Sequence, residues 1–534
     1  MSQEAIADVS TAVGSTRGVE PPDLVLALTI VSHPSAHRAG ERFVFDATGR
    51  ELALSRNAPD FLVPGRALGA PLDDPFVSRR PIRFAPGPDG VRLVVDPGGT
   101  PVIAGSPVDG SKLLATADLV HGVPLELADR VVLLLHLIDR KLGDAADPLG
   151  MVGTSAGIRR VRTAIEQVVD LTVPVLIRGE TGTGKELVAR AIHDKSPRRG
   201  GPFVSVNLGA IPRDLAGAEL FGAVRGAYTG SSRDREGLFR AAHGGTLFLD
   251  EVGEAPPEVQ VMLLRVIETG EFYPVGADKP VATQVRLIAA TDANLEEQIQ
   301  HGQFKAPLLH RLAGFELRLP PLRERREDIG ALFYHFALEE LDAIGERHRL
   351  APQDPYARPW LPAQVAAQLV RSTWPGNIRQ LRNLTRQLVI GSRGLPQLRL
   401  DPRVADELAV TPAGSGSIPT PLADAGSEGR RRPAEVTEAE LIEALRSCSW
   451  DLKAAADRLR IPRPSIYDLI DRNPNIRTAG DLAADEITQS FQACAGDLDA
   501  MVAQLQVSRR ALSRRLRELG LAGRSRPGSR GEHE

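Results

Sequence analysis

The chain predicts a multidomain protein: an N-terminal β-sandwich, a central α/β domain with a helical lid, and an all-α C-terminal region. Three stretches predict it. Residues 173–186, VPVLIRGETGTGKE, join an apolar run (Val173, Val175, Leu176, Ile177) to a Gly-rich turn and a helical pattern running from Glu186 to His193, the order of a buried parallel strand, a turn and a helix start. Between residues 20 and 125, short apolar runs alternate with Gly, Pro and Asp turns, the spacing of a two-sheet fold. From Cys448 the C-terminus repeats itself 46 positions later: Cys448 with Cys494, Asp451 with Asp497, Leu459 with Leu505, Ile461 with Val507, Arg463 with Arg509 and Ile466 with Leu512, without gaps.

At 534 residues the chain exceeds a single core, so three or four domains are expected. Its 42% hydrophobic and 25% charged residues are ordinary for a water-soluble protein, and its net charge of −3 identifies no partner. Two cysteines argue against a disulfide scaffold or a zinc site and suit a reducing compartment. The N-terminus carries Glu4 and Asp8 and no apolar signal segment. The longest apolar run, Val131 to Leu135, is too short to span a bilayer. No membrane association and a cytoplasmic location are expected. The predicted boundaries are a disordered start (1–20), the sandwich (21–125), a linker (126–148), the α/β subdomain (149–320), its helical lid (321–395), a Pro/Gly/Ser-rich flexible linker (396–435), two helical repeats (436–475 and 484–523) and a basic, polar tail (524–534).

In the N-terminal region the predicted strands are LVLALTIV, RFVFD, ELAL, PIRF, VRLVVD, PVIAG, VPLEL and RVVLLLH. Among them lies PGRALGAPLDDPFVSRRPIRF, with Gly65-Arg66, Leu72-Asp73-Asp74-Pro75, Val77-Ser78-Arg79-Arg80 and, further on, Gly99-Thr100. These residues resemble the forkhead-associated domain, which reads phosphothreonine peptides. The resemblance implies that Arg66 and Ser78, with Arg79 beside them, touch a phosphate, and that a phosphothreonine protein or Ser/Thr kinase is a partner. A guanidinium and a hydroxyl on adjacent loops can share phosphate oxygens. Pro81 and Gly98 replace a histidine and an asparagine of that family.

In the central region, the glycines of the 179–184 turn let backbone N–H groups curl around phosphate oxygens, and Lys185 and the helix start add positive charge. A second strand, Phe203 to Val206, ends at Asn207; a third buried run, Thr246 to Leu249, ends in Asp250 and Glu251; VRLIAAT ends at Thr291-Asp292. Carboxylates at the C-terminal edge of an open sheet can hold Mg²⁺ and orient water for attack on a γ-phosphate. With ELFG…GAYTG, GGTLFLDEVGE, LPPLRERREDI and WPGNIRQLRN following GETGTGKE over about 240 residues, the chain resembles the AAA+ domain of bacterial enhancer-binding proteins, the activators of sigma-54 RNA polymerase.

That resemblance implies ATP and Mg²⁺ as cofactors. Gly179, Glu180, Thr181, Gly182, Thr183, Gly184, Lys185 and Glu186 would form the ATP loop. Asp250 would hold Mg²⁺, Glu251 the attacking water and Asn207 would restrain that glutamate. Thr291 and Arg379 would be the two sensors, and Arg311 a finger reaching a neighbouring subunit's site in a hexameric ring. Gly226, Ala227, Tyr228, Thr229, Gly230 and Ser231 would form the loop that touches the sigma factor. Lys305 and Asp292 replace an arginine and an asparagine of the family, and Tyr228 and Ser231 a Phe and an Ala.

The C-terminal repeat resembles the Fis-type helix-turn-helix, here in tandem, which implies binding to upstream (enhancer) DNA, the first copy serving dimerisation or reading DNA weakly. From Val507 to Arg530 there are eight arginines and one acid, Glu518, so Arg509, Arg510, Ser513 and Arg514 are the expected DNA contacts. In the first copy Asp468 and Asp471 offset Arg463 and Arg472. Taken together the chain reads as an ATP-hydrolysing, DNA-binding activator that remodels the sigma-54 RNA polymerase holoenzyme, gated by its N-terminal domain. The alternative is a DNA-binding, phosphopeptide-reading regulator without sigma-54 remodelling or ATPase activity.

Overall fold

A computed structural model describes residues 23–46, 50–140, 147–227, 234–350, 354–401 and parts of 437–519. The predicted N-terminal start, most of the flexible linker and the basic tail lie outside the described residues. The chain divides into two compact units, Met1–Gly416 and Ser417–Glu534.

The N-terminal part of the first unit holds an eight-stranded and a four-stranded antiparallel sheet. Both contribute to one core, with Leu28, Ile30 and Leu133 from the larger sheet and Leu54, Phe84, Leu93 and Leu114 from the smaller. Each of the eight apolar runs contains a strand. Ser111–Ala115, SKLLA, is an additional strand whose short polar start hides the alternation.

The boundary that assigns residues 126–148 to a linker is corrected by this sheet, which includes the predicted strand RVVLLLH. Val131–Asp139 is a nine-residue strand paired antiparallel along the length of Leu24–Ser32. Its side chains alternate between two cores: Val131, Leu133 and Leu135 face the sandwich, whereas Val132 and Leu134 join the core of a helical subdomain. A strand buried on both faces is apolar at every position, without the alternation that marks a half-exposed one.

That helical subdomain comprises Ile329–Ala343, Ala363–Arg371 and Asn377–Gly391, packed around Trp374. Gly330 lies against the sandwich strand, where an added Cβ would stand 2.1 Å from the Val31 carbonyl oxygen. Polar links surround this seam. Ser32 Oγ and Tyr334 OH are 2.8 Å apart, and Arg371 pairs with Glu126 at 3.1 Å. Buried Arg130 donates to Asp74 at 2.9 Å and to the carbonyls of Ala357 and Pro355, each at 2.7 Å.

Two sandwich histidines are buried as neutral rings. Burial, then a neighbouring arginine (Arg38 and Arg42 respectively), pushes His33 down to about 4 and His136 down to about 3 from the usual 6.5. As pH falls below about 6.5 the unfolded chain takes up these protons before the folded one, so stability is full above that pH and declines toward the folded values. Each histidine is expected to cost about 2 kcal/mol between pH 6.5 and 5. Comparing thermal unfolding at pH 7 and pH 5 with that of His136→Gln, which keeps an amide for Thr29, should show a smaller pH effect in the variant. An equal pH effect in both chains would refute this assignment.

The central sheet is parallel and five-stranded, in the order Phe203–Asn207, Thr246–Asp250, Arg286–Thr291, Val175–Arg178, Phe315–Arg318. Alternate residues along the inner strands enter opposite cores, Leu176, Leu247 and Leu287 on one face and Val175, Ile177 and Phe248 on the other. In the second unit the described helices are Glu438–Ser447, opened by a Thr437–Glu440 capping box, Ala484–Ala493 and Leu498–Leu505. Leu459 and Ile466 of the first repeat and Leu505 and Leu512 of the second lie in one apolar cluster. Cys448 and Cys494 are unbridged and partly buried. No helix among the described residues is long and apolar enough to cross a membrane.

Candidate nucleotide site

Strand register gathers the site at one sheet edge. Asn207 stands beside Asp250, and Arg178, the last residue before the Gly-rich turn, beside Thr291. Gly182 (φ +79°) and Gly184 (φ +102°) adopt the left-handed conformation that the turn needs and that glycine supplies at least cost. Helix Lys185–Lys195 starts directly after. Lys185 is buried, and its Nζ donates to the Gly179 carbonyl at 2.8 Å, folded along the inside of the loop. Gly179 N–H in turn donates to the Thr291 carbonyl at 3.2 Å.

Asp250 is half-buried. Burial pushes its carboxyl up; Lys185 opposes that shift, and Glu186 and Asp292 add to it. A carboxylate surrounded by this much negative charge, beside a phosphate loop, suits a Mg²⁺ ion shared with phosphate oxygens. Glu251 takes a left-handed backbone (φ +54°), and its N–H donates to Asp250 Oδ1 at 3.0 Å. The two consecutive carboxylates at this edge can divide metal binding from water activation. Glu251 Oε2 and Asn207 Oδ1 flank Gly209, lying 2.5 Å and 3.3 Å from where its Cβ would stand. Asn207 Oδ1 accepts from Ala210 N–H at 3.1 Å. Thr291 is buried, with Oγ1 accepting from Ala293 N–H at 3.0 Å.

Arg379 lies in the first turn of lid helix Asn377–Gly391, its N–H donating to the Gly182 carbonyl at 3.3 Å. It therefore stands over the phosphate loop. Arg311 does not join this cluster within the chain; it is exposed and pairs with Glu268 at 3.2 Å. Lys305 precedes the helix Ala306–Leu312, and its N–H donates to Gln260 Oε1 at 2.9 Å. Sequence reasoning missed the partners of Glu180. Arg323 grips it through two bonds of 2.8 and 2.6 Å, and Asn377 donates to it at 3.1 Å.

Gly226 (φ +84°) and Ala227 belong to a described loop base, where Ala223 bridges Arg235 and Arg225 N–H donates to Asp234 at 2.8 Å. Tyr228, Thr229, Gly230 and Ser231 lie outside the described residues, as do Arg509, Arg510, Ser513 and Arg514. In the sandwich, Arg66 and Arg79 are exposed and Ser78 partly so. Ser78 N–H donates to Thr100 Oγ1 at 2.8 Å, and Ser78 Oγ accepts from Arg80 N–H at 3.0 Å.

A parallel sheet with a Gly-rich loop, a buried lysine and paired carboxylates at its C-terminal edge defines a P-loop nucleotide-binding domain, and the helical lid over that loop makes it an ATPase domain of the AAA+ class. Residues 151–318 match the sigma-54 interaction domain family and residues 323–401 the AAA+ ATPase lid domain family. The DNA-binding transcriptional regulator NtrC of Escherichia coli K12 is 46% identical over 244 residues, which cover 46% of this chain and 50% of that protein. The Nif-specific regulatory protein of Azospirillum lipoferum is 43% identical over 280 residues, 50% of this chain and 43% of that one. A crystal structure of NtrX from Brucella abortus in complex with ADP is 30% identical, covering 70% of each chain with a TM-score of 0.43. The chain spans about half the length of the curated relatives it matches.

Proposed function

We propose that the protein is an ATP-hydrolysing, DNA-binding transcription activator that remodels the sigma-54 RNA polymerase holoenzyme. The observation that carries this is the convergence of Lys185, Asp250, Glu251 and Thr291 at one sheet edge, inside a segment matching the sigma-54 interaction domain, with Arg379 of the matching lid bonded to the phosphate loop. Asp250 would hold Mg²⁺, which would neutralise charge on the phosphates; Glu251 orients and deprotonates water, and Lys185 and the loop amides bind phosphate oxygens. Arg311 completes a neighbour's site in a ring, since a guanidinium supplied across a subunit boundary stabilises phosphoryl charge only once subunits assemble. Asn207 restrains Glu251 until the ring is engaged.

The C-terminal repeats place the ring on upstream DNA through Arg509, Arg510, Ser513 and Arg514, and the loop from Gly226 to Ser231 presses Tyr228 against the sigma factor. The sandwich gates the assembly by binding a phosphothreonine segment at Arg66, Ser78 and Arg79. What supports gating is the path from that site to the lid: the loop holding Ser78 also holds Asp74, whose partner Arg130 is bonded to lid carbonyls.

Steady-state ATP turnover measured across protein concentration tests this reading. Turnover per subunit is expected to rise with concentration and then level off; a flat, silent profile would favour a non-catalytic DNA scaffold. With sigma-54 holoenzyme and a supercoiled promoter, Tyr228→Ala is expected to lower transcript yield per ATP hydrolysed more than tenfold. Unchanged yield would remove the sigma contact.

A further inference from the structure

We propose that Asn377 is a positioning residue for ATP hydrolysis, its carboxamide locking the phosphate loop at Glu180 and Thr181 to the lid helix that carries Arg379; this rests on the hydrolysis reading above. Asn377 is wholly buried (0% exposed) and holds a left-handed backbone, φ +51°, at the helix start. Its Oδ1 accepts from Leu322 N–H at 2.7 Å. Because that backbone group can only donate, the amide orientation is fixed, and Nδ2 must face the loop. There it donates to Glu180 Oε2 and to the Thr181 carbonyl, each at 3.1 Å. One side chain therefore joins the connector at Leu322, the lid helix and the phosphate loop.

Other contacts make the tie directional. Arg323 forks onto Glu180, and Arg379 N–H bonds the Gly182 carbonyl. An added Cβ at Gly182 would stand 2.3 Å from the Gly376 carbonyl oxygen, so the lid backbone lies directly on the loop. From the other side, Thr181 Oγ1 donates to Asp292 Oδ2 at 2.5 Å, at the end of strand Arg286–Thr291. The loop is held between the sheet edge and the lid. Arg379, two residues beyond Asn377, is thereby set at a fixed offset from the amides that cradle phosphate. A displacement of about 1 Å in such a constellation costs about a hundredfold in rate.

The experiment is a double-substitution cycle on the full chain. Asn377→Asp keeps the acceptor for Leu322 but turns a carboxylate toward Glu180, and like charges in contact repel. Binding of the fluorescent analogue mant-ATP and saturating turnover are measured with and without Glu180→Gln, which restores a donor facing the new carboxylate. Thermal melting reports the folded fraction. In the wild-type background Asn377→Asp is expected to raise the mant-ATP dissociation constant at least fivefold and to lower turnover per folded subunit at least tenfold. In the Glu180→Gln background both effects should shrink to within threefold. Equal losses in the two backgrounds, or losses accounted for by the unfolded fraction, overturn the proposal.

If Asn377→Asp does not fold, Glu180→Ala removes the same bond from its more exposed end and should weaken mant-ATP binding at least fivefold; unchanged binding overturns the proposal. A wild-type chain that binds mant-ATP without turnover would defeat the hydrolysis reading, while the affinity comparison still decides the role of Asn377.

Discussion

Glu251→Ala is expected to lower saturating ATP turnover at least a hundredfold while ATP binding persists. The carboxylate follows Asp250 at the sheet edge, where its Oε2 lies beside Gly209 and Asn207. Removing it takes away the group that orients and deprotonates water and leaves the phosphate loop untouched. Lys185→Ala should differ: the ammonium lining the loop beside the Gly179 carbonyl is lost, so binding and turnover fall together. Phosphate release and mant-ATP titration on the two variants separate these outcomes. Wild-type turnover in Glu251→Ala would remove the mechanism.

Arg311→Ala is expected to reduce turnover about a thousandfold, the scale of an arginine finger's contribution, with nucleotide affinity little changed. In the single chain Arg311 is exposed and held by Glu268. An exposed pair of this kind contributes little to stability, so a neighbour's triphosphate can recruit the guanidinium. Mixing the two inactive chains discriminates the geometry. A Glu251→Ala subunit still offers Arg311 to an Arg311→Ala subunit whose own site is intact, so mixtures should regain activity. No recovery at any ratio would place the finger elsewhere.

The sheet edge that carries the candidate site was legible because its signals are local. A strand, a glycine turn and a helix follow one another within residues 175–195, and Asp250-Glu251 and Thr291 each end a short apolar run. The tie to the lid was not legible. Asn377 and Glu180 are 197 positions apart, and nothing in WPGNIR reveals that its asparagine turns inward to GETGTG. Val131–Asp139 was legible as a strand from RVVLLLH, but its second packing partner was not. A half-buried strand declares itself by alternation, and this one has none because Val132 and Leu134 serve the lid while Leu133 and Leu135 serve the sandwich. Similarly Arg130, next to a turn, gives no sign that it will join Asp74 to carbonyls more than two hundred positions away.

The strand with two buried faces limits how the chain can be cut or moved. A fragment starting at residue 149 would expose the lid's inner wall around Phe333 and Tyr334 to water, and a fragment ending at 125 would lack the middle rung of its own sheet. Gly330 closes the joint from the other side, with no room for even a methyl group between helix and strand. Sandwich and lid therefore share one packed joint, so any displacement of the sandwich must carry the lid with it or prise the two apart at that seam.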